Sequence, residues 1–144
     1  MTKIGVEQLF HRSNNELEKT FEFIDRFFST ELIPVEFSNV IKFIVEELFT
    51  NMVKYNPTGE SPIRIMLTKQ ENKVVIVAID AASKPFDVTK APEAETTLSL
   101  EERKIGGLGI YLIRKMVDEA YYEYGNGMSK TTLVKYLENQ NVDS

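Results

Sequence analysis

Cysteine and tryptophan are absent from this 144-residue chain, and histidine occurs once. Without cysteine there are no disulfides, thiolate metal sites or cysteine nucleophiles, a composition compatible with a reducing cytosol. The lone His11 has no cysteine beside it to complete a zinc site, and a Ser-His-Asp triad is disfavoured too. No apolar stretch approaches the roughly 18 residues of a membrane span, and the opening MTKIGVEQLFHRSNN lacks the basic-then-apolar pattern of a signal peptide. The expectation is a cytoplasmic protein that does not contact the membrane. Basic stripes are missing as well. Lysines are scattered, the net charge is −5 and the pI is about 5.0, which argues against direct nucleic-acid binding.

What is present suits one soluble domain over residues 1–144: 42% hydrophobic, 27% charged, with no internal repeat and no low-complexity segment. Residues 3–10 read as a short strand. Ser13-Asn14-Asn15-Glu16 has the cap-then-acid pattern of a helix start, and Leu17, Phe21, Ile24, Phe27 and Phe28 follow at helical spacing. Beyond Pro34 a second helix is expected from about Val35 to Tyr55, stopped by Asn56-Pro57-Thr58-Gly59. Ile63–Thr68 alternates and Lys73–Asp80 is a near-continuous apolar run, so the two pair as a hairpin. Residues 88–105 are polar and patternless, as lids often are. Gly106-Gly107-Leu108-Gly109 opens a third helix to about Asp118, and Ala120–Tyr124 and Thr131–Leu137 form a second hairpin. This order predicts a two-layer α/β (α+β) sandwich: a mixed, mostly antiparallel sheet covered on one face by about three helices.

Three features carry chemistry. Winding the second helix at about 100° per residue puts Ile41, Ile44, Val45, Leu48 and Met52 on one stripe. Glu47, Asn51 and Lys54 fall beside it, whereas Glu46 and Thr50 fall on the solvent side. A carboxylate and an amide one turn apart can share a metal ion or a water, or simply form a solvated contact. Asp80 ends the apolar strand, where it can accept from an exocyclic amine or close a turn on its own backbone. The glycines 106–109 leave backbone amides bare at a helix N-terminus, suited to phosphate, or merely allow a tight turn. No Gly-Lys-[Ser/Thr] follows, so this is not a Walker loop.

Taken in order, Glu47-Leu-Phe-Thr-Asn51-Met-Val-Lys54, then Val-Ala-Ile-Asp80, then Gly106-Gly-Leu-Gly109 and its helix resemble the GHKL (Bergerat-fold) ATPase superfamily. Within it the likeness is to anti-sigma factor serine/threonine kinases of the RsbW and SpoIIAB type. The resemblance implies that ATP and Mg²⁺ are bound and a hydroxyl of a small STAS-type antagonist is phosphorylated. It also implies partner switching with a sigma factor, and a homodimer. Glu47 would be the general base and Asn51 the Mg²⁺ ligand, with Lys54 reaching a phosphate. Asp80 would accept from adenine with Thr131 near it, and Gly106, Gly107, Leu108 and Gly109 would frame the triphosphate under the lid. One departure stands out: where the family has Asp-x-Gly, this chain has Asp80-Ala81-Ala82, which favours a catalytically weak or inactive binding module as the alternative.

Overall fold

Alternation and helical periodicity resolve into five strands and three long helices in a computed structural model, which describes residues 4–55, 61–81 and 108–137. Strand β1 (Ile4–Phe10) leads through a short 3₁₀ turn at Asn14–Glu16 into helix α1 (Leu17–Glu31), and helix α2 covers Glu36–Tyr55. Strands β2 (Ile63–Gln70) and β3 (Lys73–Ala81) follow. Helix α3 (Leu108–Met116) then precedes β4 (Glu119–Gly125) and β5 (Met128–Tyr136). The strands form one sheet in the order β1-β2-β3-β5-β4, and every pairing among the described residues is antiparallel.

Local chemistry accounts for the boundaries. The Ser13 hydroxyl accepts from the Asn15 amide (3.1 Å), satisfying a donor that the start of the helical segment leaves open. Helix α1 stops because Leu32 turns left-handed (φ 56°) and its amide returns to the Phe28 carbonyl, with Pro34 two residues on. The hairpin β4–β5 reverses through Asn126 and Gly127, both at positive φ (54° and 74°), the pair that suits the twist of a two-residue turn. Helix α3 ends at Met116, two residues before the expected Asp118. The Lys135 ammonium takes the Met116 carbonyl (2.9 Å), and the Asp118 carboxylate instead accepts from the Tyr136 amide (2.6 Å).

The helices cover one face of the sheet. Ile63, Ile65 and Leu67 of β2 and Val74, Ile76 and Ala78 of β3 are buried against Phe23, Ile24 and Phe27 of α1 and the whole expected stripe of α2, with Phe49, outside that stripe, buried as well. Phe10 is fully buried and packs edge-on against Phe23 and Phe49, with ring centroids 5.7 and 6.2 Å away. The run in β3 looked continuous in sequence because its other face is apolar too. Val75, Val77 and Ile79 are only half-buried, since no described helix covers that side.

Candidate functional site

Antiparallel register brings distant segments to one end of the sheet. The end of β1 lies beside the start of β2, and β2 beside the end of β3 (Arg64 opposite Ile79). Asp80 lies opposite Ser129, and Ala78 opposite Thr131. Directly opposed residues share a face, so Asp80, Ser129 and Thr131 all point to the helix-covered side, and all three are buried. The rows there change from apolar (Ile76 with Leu133) to polar (Asp80 with Ser129) within four residues. Ser129 is hydrogen-bonded to the Tyr122 hydroxyl (2.7 Å).

Asn51 sits on α2 at this same end and is 3% exposed. Its Nδ2 donates to the backbone carbonyl of Glu47 (2.6 Å), not to the Glu47 carboxylate. Only a donor can face a carbonyl, so the amide orientation is fixed by this bond. Among the described residues Oδ1 is left buried without a partner. Such an acceptor costs about 1–3 kcal/mol unless something fills it.

Glu47 keeps its carboxylate unused by Asn51. Burial, then the neighbouring Glu46 carboxylate, push its pKa up from the ordinary 4.5, and Lys54 pulls the other way. Lys54 itself is exposed. The expected contrast with Glu46 and Thr50 is softer than the helical wheel implied. Both are half-buried, and the Thr50 hydroxyl is turned inward onto the Glu46 and Glu47 carbonyls (2.8 and 3.3 Å). A threonine in a helix gains that backbone bond, which draws it off the solvent side.

Asp80 is 4% exposed and paired with Arg12, a residue that nothing in the sequence singles out. Arg12 stands two residues beyond β1, and its Nη2 donates to Asp80 Oδ1. The same guanidinium reaches the Met52 carbonyl of α2 and the Ser61 carbonyl just before β2, each at 3.2 Å. Its partner lies 68 positions away, so no local pattern announces it. Gly106, Gly107, Ala82 and the expected lid 88–105 lie outside the described residues. Leu108 and Gly109 form the first turn of α3. Among the described residues no three His, Asp or Glu side chains converge as a metal site, and no helix is long and apolar enough to cross a membrane.

A two-layer sandwich with Glu47 and Asn51 one helical turn apart, and a buried carboxylate at a strand end on the helix-covered side, defines a class. The chain belongs to the histidine kinase-like ATPase domain family, which matches residues 10–135. Within it the chain is RsbW-like. It is 30% identical over 108 residues to the serine-protein kinase RsbW of Bacillus velezensis, a match covering 72% of this chain and 67% of that protein. The corresponding kinase of Listeria monocytogenes is 30% identical over 109 residues, covering 72% and 68%. That of Bacillus licheniformis is 27% identical over 112 residues, covering 72% and 67%. The fold is shared with the crystal structure of the SiaB-SiaC complex from Pseudomonas aeruginosa, at a TM-score of 0.65 and 13% identity over 90% of this chain and 88% of that one.

Proposed function

We propose that this chain is a cytoplasmic anti-sigma-type protein serine/threonine kinase that binds ATP with Mg²⁺ and phosphorylates a small STAS-type antagonist. In this reading it also binds a sigma factor, works as a homodimer, and regulates transcription by exchanging partners. The observation that carries the proposal is the pair on α2: an unpartnered, buried Asn51 Oδ1 one turn from a Glu47 carboxylate of raised proton affinity.

An amide oxygen suits a hard cation such as Mg²⁺, so Asn51 would hold the metal together with the nucleotide's own phosphates. Bound there, the ion supplies charge neutralisation for phosphoryl transfer. Glu47 would take the proton of the acceptor hydroxyl, and a raised pKa brings a carboxylate nearer the range where a base is effective. Lys54 would meet a phosphate oxygen. Glycines 106–109 and the first turn of α3 would offer backbone amides to the triphosphate. Asp80 would accept from the base's exocyclic amine, with Thr131 beside it.

Incubation with γ-labelled ATP, Mg²⁺ and a STAS-type antagonist should label the antagonist. Glu47→Gln should cut the rate by roughly 10²–10⁴-fold, the usual contribution of a general base, and leave nucleotide binding in place. Wild-type protein that transfers nothing under these conditions removes the kinase half of the proposal. The Asp80-Ala81-Ala82 sequence favours one second reading, a nucleotide-binding interaction module without transfer. Calorimetry would then register ATP·Mg²⁺ while the antagonist stays unlabelled.

A further inference from the structure

Arg12 has no role in the functional reading above, yet it bonds Asp80 and two backbone carbonyls beside the site. Its side chain is 3% exposed, and the Asp80 side chain 6%. The Met52 carbonyl it holds lies in the last described turn of α2 and belongs to the residue next to Asn51. One planar group therefore ties the turn that carries Asn51, the entry to β2, and the carboxylate that ends β3.

How the guanidinium meets Asp80 decides what it does there. A fork gripping both oxygens would consume the acceptor. Here the hydrogen bond goes to Oδ1 alone, and the other terminal nitrogen is committed to a backbone carbonyl. Among the described residues Oδ2 takes no hydrogen bond. The guanidinium therefore leaves Oδ2 uncommitted. The two carbonyls anchor the guanidinium, so the carboxylate is held against a fixed cation through one oxygen, with the other not taken by it.

We infer that Arg12 is the positioning residue of the base subsite: it locks Asp80 through Oδ1 and presents Oδ2 as an oriented, charged acceptor for the exocyclic amine of an adenine nucleotide. This rests on the nucleotide-binding reading. Guanine carries a carbonyl where adenine carries the amine, and a fixed carboxylate oxygen repels it. Arg12 thereby sets the preference for adenine without touching the base. Lysine does not substitute fully, because a point charge lacks the planar array that reaches two carbonyls and a carboxylate together.

Calorimetric titration of wild type, Arg12→Met and Arg12→Lys with ATP, GTP and tripolyphosphate, each with Mg²⁺, tests the inference. Wild type should prefer ATP over GTP by on the order of 10- to 100-fold, the range of one hydrogen bond to a charged group. Arg12→Met should bind ATP about tenfold more weakly, with the ATP/GTP ratio falling toward one and tripolyphosphate binding unchanged. Arg12→Lys keeps the counter-charge if the methionine variant does not fold, and its ratio should lie between the two. A wild-type ratio in Arg12→Lys overturns the inference. So does tighter ATP binding in either variant, which would make Arg12 an occluding group, and so does an equal loss for ATP and tripolyphosphate, which would make it a general structural one. Wild-type protein that binds neither nucleotide nor tripolyphosphate overturns the nucleotide reading itself, and this inference with it.

Discussion

Replacing Asn51 by leucine should leave the unliganded protein as stable as before or more so, while abolishing its response to ATP and Mg²⁺. The substitution removes the Nδ2–H bond to the Glu47 carbonyl, a net loss of about 1 kcal/mol. No orphan is created, because that carbonyl still receives its helical amide and lies near the Thr50 hydroxyl. The substitution also removes Oδ1, buried without a partner, whose burial costs about 1–3 kcal/mol. The balance favours leucine by zero to about 2 kcal/mol. For a domain of this size that is a rise in Tm of up to roughly 8 °C. Ligand at about 100 times its Kd stabilises the wild type by about 2.7 kcal/mol, or roughly 5–11 °C. Thermal melts with and without ATP·Mg²⁺ should therefore cross over, with the variant higher alone and the wild type gaining with ligand. A variant that shifts with ATP·Mg²⁺ as the wild type does refutes the metal assignment. One that loses more than about 2 kcal/mol unliganded refutes the account of Oδ1.

Four further outcomes are expected. Phe10→Ala empties the junction of β1, α1 and α2 and removes two edge-on ring contacts; urea melts should show a loss of about 3–5 kcal/mol, and a loss under 1 would contradict the packing. Glu47 has a raised folded-state pKa, so its contribution to stability is full below the unfolded value and is lost as pH rises through the folded one. Melts at about pH 4 and pH 7 should then show Glu47→Gln gaining on the wild type at the higher pH, and a flat difference would contradict the burial. Transfer activity should rise with pH across the same range as the base ionises. The Glu119 carboxylate accepts from both the Tyr121 and Tyr136 hydroxyls, which raises both phenol pKa values above 10.0. Ultraviolet titration of Glu119→Gln should bring two tyrosines down; an unchanged curve would mean the contacts are not made in solution.

Much of this architecture is legible in the sequence because it is written in local rules. The stripe Ile41, Ile44, Val45, Leu48 and Met52 is buried as the 3.6-residue period requires. The break at Pro34 and the turn at Asn126-Gly127 fall where backbone chemistry places them. Periodicity fails where side chains choose between partners. The wheel set Asn51 at the border of the core and Thr50 in solvent, but both turned toward the Glu47 carbonyl. Arg12 was illegible for a different reason. Its meaning depends on Met52, Ser61 and Asp80, which only the β1-β2-β3 pairing brings to it. Ser129 and Thr131 likewise become neighbours of Asp80 through register alone.

The buried pair Arg12–Asp80 also bears on why polar groups persist at this end of an otherwise apolar core. Taking two charges out of water costs about as much as their attraction returns, so stability alone is a weak account of such a pair. The account is testable by a double-mutant cycle. Asp80→Leu alone leaves the Arg12 guanidinium buried without its counter-charge, and should cost about 3–5 kcal/mol in urea melts. Arg12→Met with Asp80→Leu removes both charges and frees the Met52 and Ser61 carbonyls, and should return the protein to near wild-type stability or above it by about 1–4 kcal/mol. If instead the double variant is no better than the single one, the pair is a structural fastener, and its place at the end of β3 needs no ligand to explain it. If stability recovers and ATP binding does not, the charges are there for what they hold, and Asp80 joins Asn51 as a residue whose burial lowers the stability of the empty site.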